Sequence, residues 1–313
     1  VYEELTQTNS AFRSRIGTSN GIGSMGIVFD GTQEQKDKYL PPVATGEWTA
    51  AFGLTEPNAG SDAAGISTSA VLDGDHWIIN GNKVFITNGD CADFFTVIVV
   101  TDEEKRARGG FTALLVERDS PGFSNGPADD KMGIKGSHTT ELLFKDCRVP
   151  RDNVIGGLDM VGQGFKTAMR VLDKGRLTMG ACALGASQRL LDLCVDHVKA
   201  KKQKGKSWDD LQADQFLLAD MATEIYAMRQ MLYHSARLRD QGQNVTHEAS
   251  MVKVFCTEVA DRIAGRALDI FGDAGYLKKS QVEMYLRDVR LYRIFEGTSE
   301  IQRIVISRRL LKD

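Results

Sequence analysis

An α+β fold is expected, with a β-rich middle between a helical N-terminal segment and an all-helical C-terminal half. Three observations predict it. All six prolines lie between Pro41 and Pro150, so the rest of the chain lacks the residue that costs a helix interior about 3 kcal/mol. In that half apolar residues recur at helical steps: Leu217, Met221, Ile225, Met228 and Leu232 in one segment, Val252, Cys256, Val259 and Ile263 in another. The middle third instead carries short β-branched and aromatic runs punctuated by Gly, Asn and Asp.

In chain order, residues 1–48 read as helical, with Gln33 to Leu40 a short amphipathic turn ending at Pro41-Pro42. Strands are expected at His76 to Asn80, Lys83 to Thr87, Phe94 to Thr101, Phe111 to Glu117 and Thr139 to Lys145, with Asn80-Gly81-Asn82 as a tight hairpin. Five such strands with few helical windows suggest a small barrel or sandwich of antiparallel strands. A helix follows from Phe165 to Lys199, whose Gly180, Ala181, Ala183, Gly185 and Ala186 let a neighbouring backbone come close. Ser207 and Asp210 make a capping box, Gly242 a stop, and Ile301 to Leu311 the last helix.

The chain has 313 residues, enough for two domains at about 150 residues each. Its 39 basic and 42 acidic side chains give a net charge of −3, which argues against nucleic acid or an anionic membrane as the main partner. Apolar residues at 42% and charged residues at 26% describe a globular protein. The apolar run from Phe94 to Val100 is far short of the roughly 20 residues a membrane helix needs. Cys91, Cys147, Cys182, Cys194 and Cys256 are odd in number and scattered through apolar patterns, as buried free thiols in a reducing compartment would be. The five histidines show no metal-ligand spacing, so no metal site is expected. The chain opens at Val1 inside a helical pattern, without a targeting segment, and reads as lacking its native N-terminus.

Two segments carry chemistry. Thr55-Glu56-Pro57-Asn58-Ala59-Gly60-Ser61-Asp62 is a loop of turn formers able to present successive N–H groups and hydroxyls to an anion, or simply a turn. Phe295-Glu296-Gly297-Thr298-Ser299 sets a carboxylate beside an aromatic ring, followed by two hydroxyls able to cap a helix. A carboxylate stripped of water is suited to work as a base near neutrality, although the same residues also suit a surface Glu before a helix.

The order TEPNAGSD, GNKVFITNG, a long helix bearing LDKGR, and RIFEGTSEIQR resembles the acyl-CoA dehydrogenase family along the whole chain. The resemblance implies an N-terminal helical domain, of which residues 1–48 are the remaining part, a middle β-barrel over 49–155 and a C-terminal four-helix bundle over 156–313. It further implies a flavoprotein, usually a homotetramer built as a dimer of dimers. FAD is the implied cofactor, with Phe52, Leu54 and Thr55 along it and Gly60 and Ser61 near its pyrophosphate and the substrate. Phe85, Ile86 and Thr87 cover the other edge of the ring, Phe85 standing where many members carry Trp, and Thr298 and Glu300 complete the cofactor contacts. Asp173, Arg176, Gly297 and Ser61 are assigned to the acyl-CoA substrate and Glu296 to the catalytic base. Some relatives place the base on the LDKGR helix instead, where this chain has Gly175, which cannot accept a proton and which points to short or branched acyl chains.

The implied activity is dehydrogenation of an acyl-CoA to the trans-2-enoyl thioester, with electrons passed to an electron-transfer flavoprotein, in the bacterial cytoplasm or the mitochondrial matrix, the former favoured. Lys201, Gln203, Gln212, Asp269 and Asp273 fall on the surface that, in the family, reaches the flavin of a neighbouring subunit. Here the sequence departs from the pattern: Lys201 replaces an Arg, Lys204 an aromatic, Asp269 a Gln and Asp273 a Gly. Two alternatives stay open: an oxidase that uses oxygen, and a non-catalytic member that keeps the helical core without flavin.

Overall fold

Residues 1–311 are described by a computed structural model. They divide into two compact units, one of residues 14–130 and 135–172, the other of residues 1–13, 131–134 and 173 onward.

The first unit is built on seven strands: β1 (Ala50–Gly53), β2 (Ser69–Asp73), β3 (His76–Thr87), β4 (Phe94–Val100), β5 (Phe111–Glu117), β6 (Phe123–Ala128) and β7 (Thr139–Pro150). They form one curled sheet in the order β1-β4-β2-β3-β7-β6, with β5 on β4. It is mixed, not wholly antiparallel as expected, because β1 and β2 both run parallel to β4. The expected hairpin at Asn80-Gly81-Asn82 is a bulge within one continuous strand. The long β7 pairs with β3 on both sides of Gly81, and the ladder only shifts register between Ile79 and Gly81. Gly81 has φ +137°, and a Cβ there would meet the Thr68 side chain and backbone at 2.7–2.8 Å. The turn residues therefore serve a close crossing of two strands. β6 escaped sequence reading because Gly126 and Pro127 lie in it, which an edge strand tolerates.

The N-terminal helices of the chain are α1 (Tyr2–Thr8), α2 (Ser10–Gly17), α3 (Met25–Asp30) and α4 (Gln33–Thr45), with a π-turn over Thr18–Gly23. α4 does not stop at Pro41-Pro42. It begins with a reciprocal capping box between Thr32 and Gln35 and runs on through both prolines to Thr45. The Pro42 carbonyl accepts from Trp48 N–H, and left-handed Gly46 ends the helix.

The second unit is helical: α1, most of α5 (Gly164–Gln203), α6 (Gln212–Asp240), α7 (Thr246–Phe271), α8 (Asp273–Tyr276), α9 (Gln281–Val289) and α10 (Ser299–Leu310). The periodic faces are its core. Met221, Ile225, Met228 and Leu232 of α6 and Val252, Cys256, Val259 and Ile263 of α7 are buried with Met179, Cys182 and Leu190 of α5. Truncating one of these to Ala costs about 2–5 kcal/mol. Gly180 lies against the Val252 side chain, the close approach its small size predicts. Ser207 and Asp210 cap reciprocally, N–H to side chain in both directions, and Gly242, at φ +79°, closes α6. Among the described residues no helix is long and apolar enough to cross a membrane.

Candidate active site

Glu296 sits in the turn between a 3-10 segment (Arg290–Arg293) and α10. It has φ +55°, the left-handed region, followed by Gly297 at φ +92°. Thr298 caps α10 by accepting from Ile301 N–H at 3.3 Å, and Gln302 Nε2 donates to the Gly297 carbonyl at 3.0 Å. A Cβ on Gly297 would meet Gln302 Nε2 at 2.6 Å, so the turn tolerates nothing larger there.

This turn sends the Glu296 side chain inward, leaving it 10% exposed, with Oε1 3.5 Å from Arg13 Nη2. Its Oε2 lies against Gly175 of α5 and accepts no hydrogen bond. The Phe295 ring stacks on Tyr292, and the wall that dehydrates the carboxylate is α5. Arg13 was invisible to sequence reading. It belongs to no motif, and only packing of the N-terminal segment into the helical unit brings it here. Burial works against its charge, yet Cys182, Glu296, Tyr292 and Tyr2 around it hold its guanidinium above the usual range.

One residue on from Gly175, Arg176 is buried with Nη1 2.7 Å from Asp173 and 3.4 Å from Ser250 Oγ, while Thr246 Oγ1 donates to Asp173 at 3.1 Å. Burial lowers the Arg176 pKa, with Asp173 and Glu296 pulling the other way. Glu296, Gly297, Gly175, Asp173 and Arg176 are thus brought together at one end of the α5 segment in this unit.

The other predicted group gathers elsewhere. Lys201 and Gln203 close α5, Gln212 opens α6, Asp269 ends α7 and Asp273 opens α8. Lys201 Nζ binds Asp214 Oδ2 at 2.9 Å and the Ile270 carbonyl at 2.8 Å, while Gln203, Gln212, Asp269 and Asp273 are exposed. Arg176 and Lys201 are 25 residues apart on one helix, roughly 38 Å of axis at 1.5 Å per residue. Thr298 is half-buried as a cap and Glu300 is exposed.

In the sheet unit, the loop 54–61 is tied to β3. Lys83, fully buried, donates from Nζ to the Leu54 carbonyl at 3.1 Å and to Glu56 Oε1 at 2.8 Å, and Val84 N–H donates to the Thr55 carbonyl at 2.9 Å. Glu56 also accepts from Ser67 N–H, Ser67 Oγ and Thr68 N–H. Burial opposes its ionisation, but Lys83 and these donors hold it down at about 2, while burial brings Lys83 down to about 8. Glu56 is therefore the loop's internal anchor and Thr55, Gly60 and Ser61 its open face. Phe52, Leu54 and Ile86 point into the core, so what they offer a ligand is backbone.

These residues fit a flavin. Phe85 lies where the β3–β7 register shifts, in left-handed backbone (φ +58°) that is rare for a bulky residue, with its ring 69% exposed. A strained bulge that holds an aromatic face in solvent is a stacking surface for a flat ring. A Cβ on Gly60 would meet nothing in the chain, so the loop is open to solvent at this position.

Comparison with known proteins gives matches along almost the whole chain. Models of the acyl-CoA dehydrogenase N-terminal, middle and C-terminal domains match residues 1–47, 51–147 and 162–311. A probable acyl-CoA dehydrogenase of Mycobacterium tuberculosis is 42% identical over 313 residues, all of this chain and 79% of that protein. The caffeyl-CoA reductase-Etf complex subunit CarC of Acetobacterium woodii is 40% identical over 310 residues, 99% of this chain and 81% of its own length. The solved structure of butyryl-CoA dehydrogenase from Megasphaera elsdenii superposes with a TM-score of 0.95 at 39% identity, covering 99% of this chain and 80% of that one. With sequence and fold in agreement over this length, the chain belongs to the acyl-CoA dehydrogenase family of FAD-dependent oxidoreductases.

Proposed function

We propose that the chain oxidises short-chain acyl-CoA thioesters to trans-2-enoyl-CoA with Glu296 as the base, and that an electron-transfer flavoprotein takes the electrons. The observation that carries this reading is Glu296 Oε2, a buried carboxylate oxygen with no hydrogen-bond donor of its own, held by a left-handed turn. A thioester α-proton is weakly acidic, so its base must be poorly solvated and fixed in place before substrate arrives. Glu296 takes that proton at Oε2 and its own N–H is placed to hold the carbonyl oxygen as enolate charge builds. FAD, held by Thr55, Ser61, Phe85 and the backbone at 52–54 and 86–87, supplies the acceptor for the β-hydride. Thr298 and Glu300 add further contacts to it. Arg176 offers a permanent cation to the CoA portion beside Asp173 and Gly297.

Short chains are favoured by Gly175 and by the likeness to a butyryl-CoA dehydrogenase. The electron-transfer flavoprotein is favoured by the likeness to a subunit named for an Etf complex. A homotetramer in the bacterial cytoplasm completes the proposal. The test is Glu296→Gln, assayed with butyryl-CoA and a dye acceptor. Flavin absorbance should stay, and turnover should fall by about 10²–10⁴-fold. Near-normal turnover would sink the assignment of Glu296, and a colourless wild-type protein would favour a non-catalytic member.

A further inference from the structure

Lys253 of α7 is completely buried, and its ammonium donates no hydrogen bond to the protein. A buried charge without partners is costly, so something must compensate it. Its place on the helix says what lies near. Thr246, Ser250 and Lys253 follow one another at helical steps on one face of α7. The first two meet Asp173 and Arg176 of α5. α7 packs on α10, whose preceding turn lays Glu296 against Gly175, next to Arg176.

Four charged groups act on Lys253. Glu296 is the strongest counter-charge, Glu258 of its own helix and Glu300 of α10 add to it, and Arg176 of α5 opposes. Glu258 already pairs with Arg293 at 3.0 Å and Arg303 at 3.5 Å. Glu300 is exposed, with Arg303 at 3.6 Å. Glu258 Oε1 and Glu296 Oε2 are both buried without a hydrogen-bond donor, but Glu258 Oε1 has the Arg303 guanidinium at 3.5 Å, whereas Arg13 reaches only the other oxygen of Glu296.

We infer that Lys253 is a positioning residue for the base: its buried ammonium shares with Arg13 the task of holding the Glu296 carboxylate turned toward Gly175. This rests on the reading of Glu296 as the base. Burial brings the Lys253 ammonium down to about 8, so at neutral pH it still carries its charge. Removing that charge takes away one of the two cations that hold the neighbouring carboxylate in place.

Two measurements on the flavin-loaded full chain test it. In K253M kcat should fall at least tenfold with flavin absorbance retained, and K253R should restore part of it, since a small displacement of a base is enough. An unchanged kcat overturns the inference. The second is a melting-temperature cycle of wild type, K253M, E296Q and the double variant. K253M should be more favourable in the E296Q background, where the ammonium has lost its counter-charge, by several degrees. Strict additivity overturns the inference. If K253M fails to fold, K253Q serves in both measurements. The cycle needs no turnover, so a wild-type protein without acyl-CoA activity would remove the reading of the base while the coupling is still decided.

Discussion

Gly175 and Glu296 compete for one space: a Cβ built on Gly175 would overlap Glu296 Oε2. The carboxylate is the far end of a flexible side chain and can swing away, so the clash costs position more than stability. Gly175→Ala should therefore change the unfolding free energy by less than about 1.5 kcal/mol while turnover drops at least tenfold, because a small displacement of a base is enough. Urea titration beside steady-state kinetics separates the two, and an active Ala variant would show that Glu296 does not work from this pose.

Arg176→Ala removes a buried guanidinium from Asp173, which is itself 37% exposed and can be rehydrated. Its cost to stability should stay near 1–2 kcal/mol, below the 3–5 of a fully buried broken pair. Acyl-CoA affinity should fall by more than tenfold. Calorimetric titration with a substrate analogue decides. Unchanged affinity with a lowered melting temperature makes Arg176 a structural residue.

The Glu56–Lys83 pair predicts an acid sensitivity. The Glu56 carboxyl is held at about 2 in the folded protein against an ordinary 4.5, so its contribution is present above about pH 4.5 and is lost as pH falls through about 2. Glu56→Gln should destabilise by about 3–5 kcal/mol at pH 7, and the gap from wild type should close below pH 3. Because Lys83 also ties down the Leu54 carbonyl, flavin retention should drop with it. A pH-independent gap would mean that packing, not charge, holds the loop.

Lys201 is engaged by Asp214 and Ile270, so little of its charge is left to offset Asp269 and Asp273 if a flavin pyrophosphate comes near them. Asp273→Gly should tighten FAD by about two- to tenfold at low ionic strength and by less at 0.5 M salt. Equal affinities at both salt concentrations would place the cofactor away from α8.

Patterns that repeat along one element were legible from sequence. The α6 and α7 faces, the capping box at Ser207 and the stop at Gly242 are local, and local physics decides them. Gly81 misled because a tertiary partner overrides turn chemistry: β7 continues the ladder past it. Pro41-Pro42 misled as a stop, since α4 runs on through both to Thr45. In the site, Glu296 and Arg176 were found through motif, and Glu56 was read only as part of a ligand loop. Arg13, Lys253 and the role of Gly175 as empty space were missed or left unexplained. Each depends on pairs of residues more than 40 positions apart, which no periodicity records.

The length of α5 has a genetic consequence. If the Lys201 end of the helix serves the flavin of another copy while the Arg176 end serves the copy's own base, a damaged Lys201 and a damaged Glu296 lie in different functional units of the oligomer. Two inactive alleles, one carrying each lesion, should then complement when co-expressed. In each mixed pair one composite site would inherit both intact parts and the other neither. Activity regained from two dead proteins, and absent when both lesions share one chain, would reveal the sharing without any view of the interface.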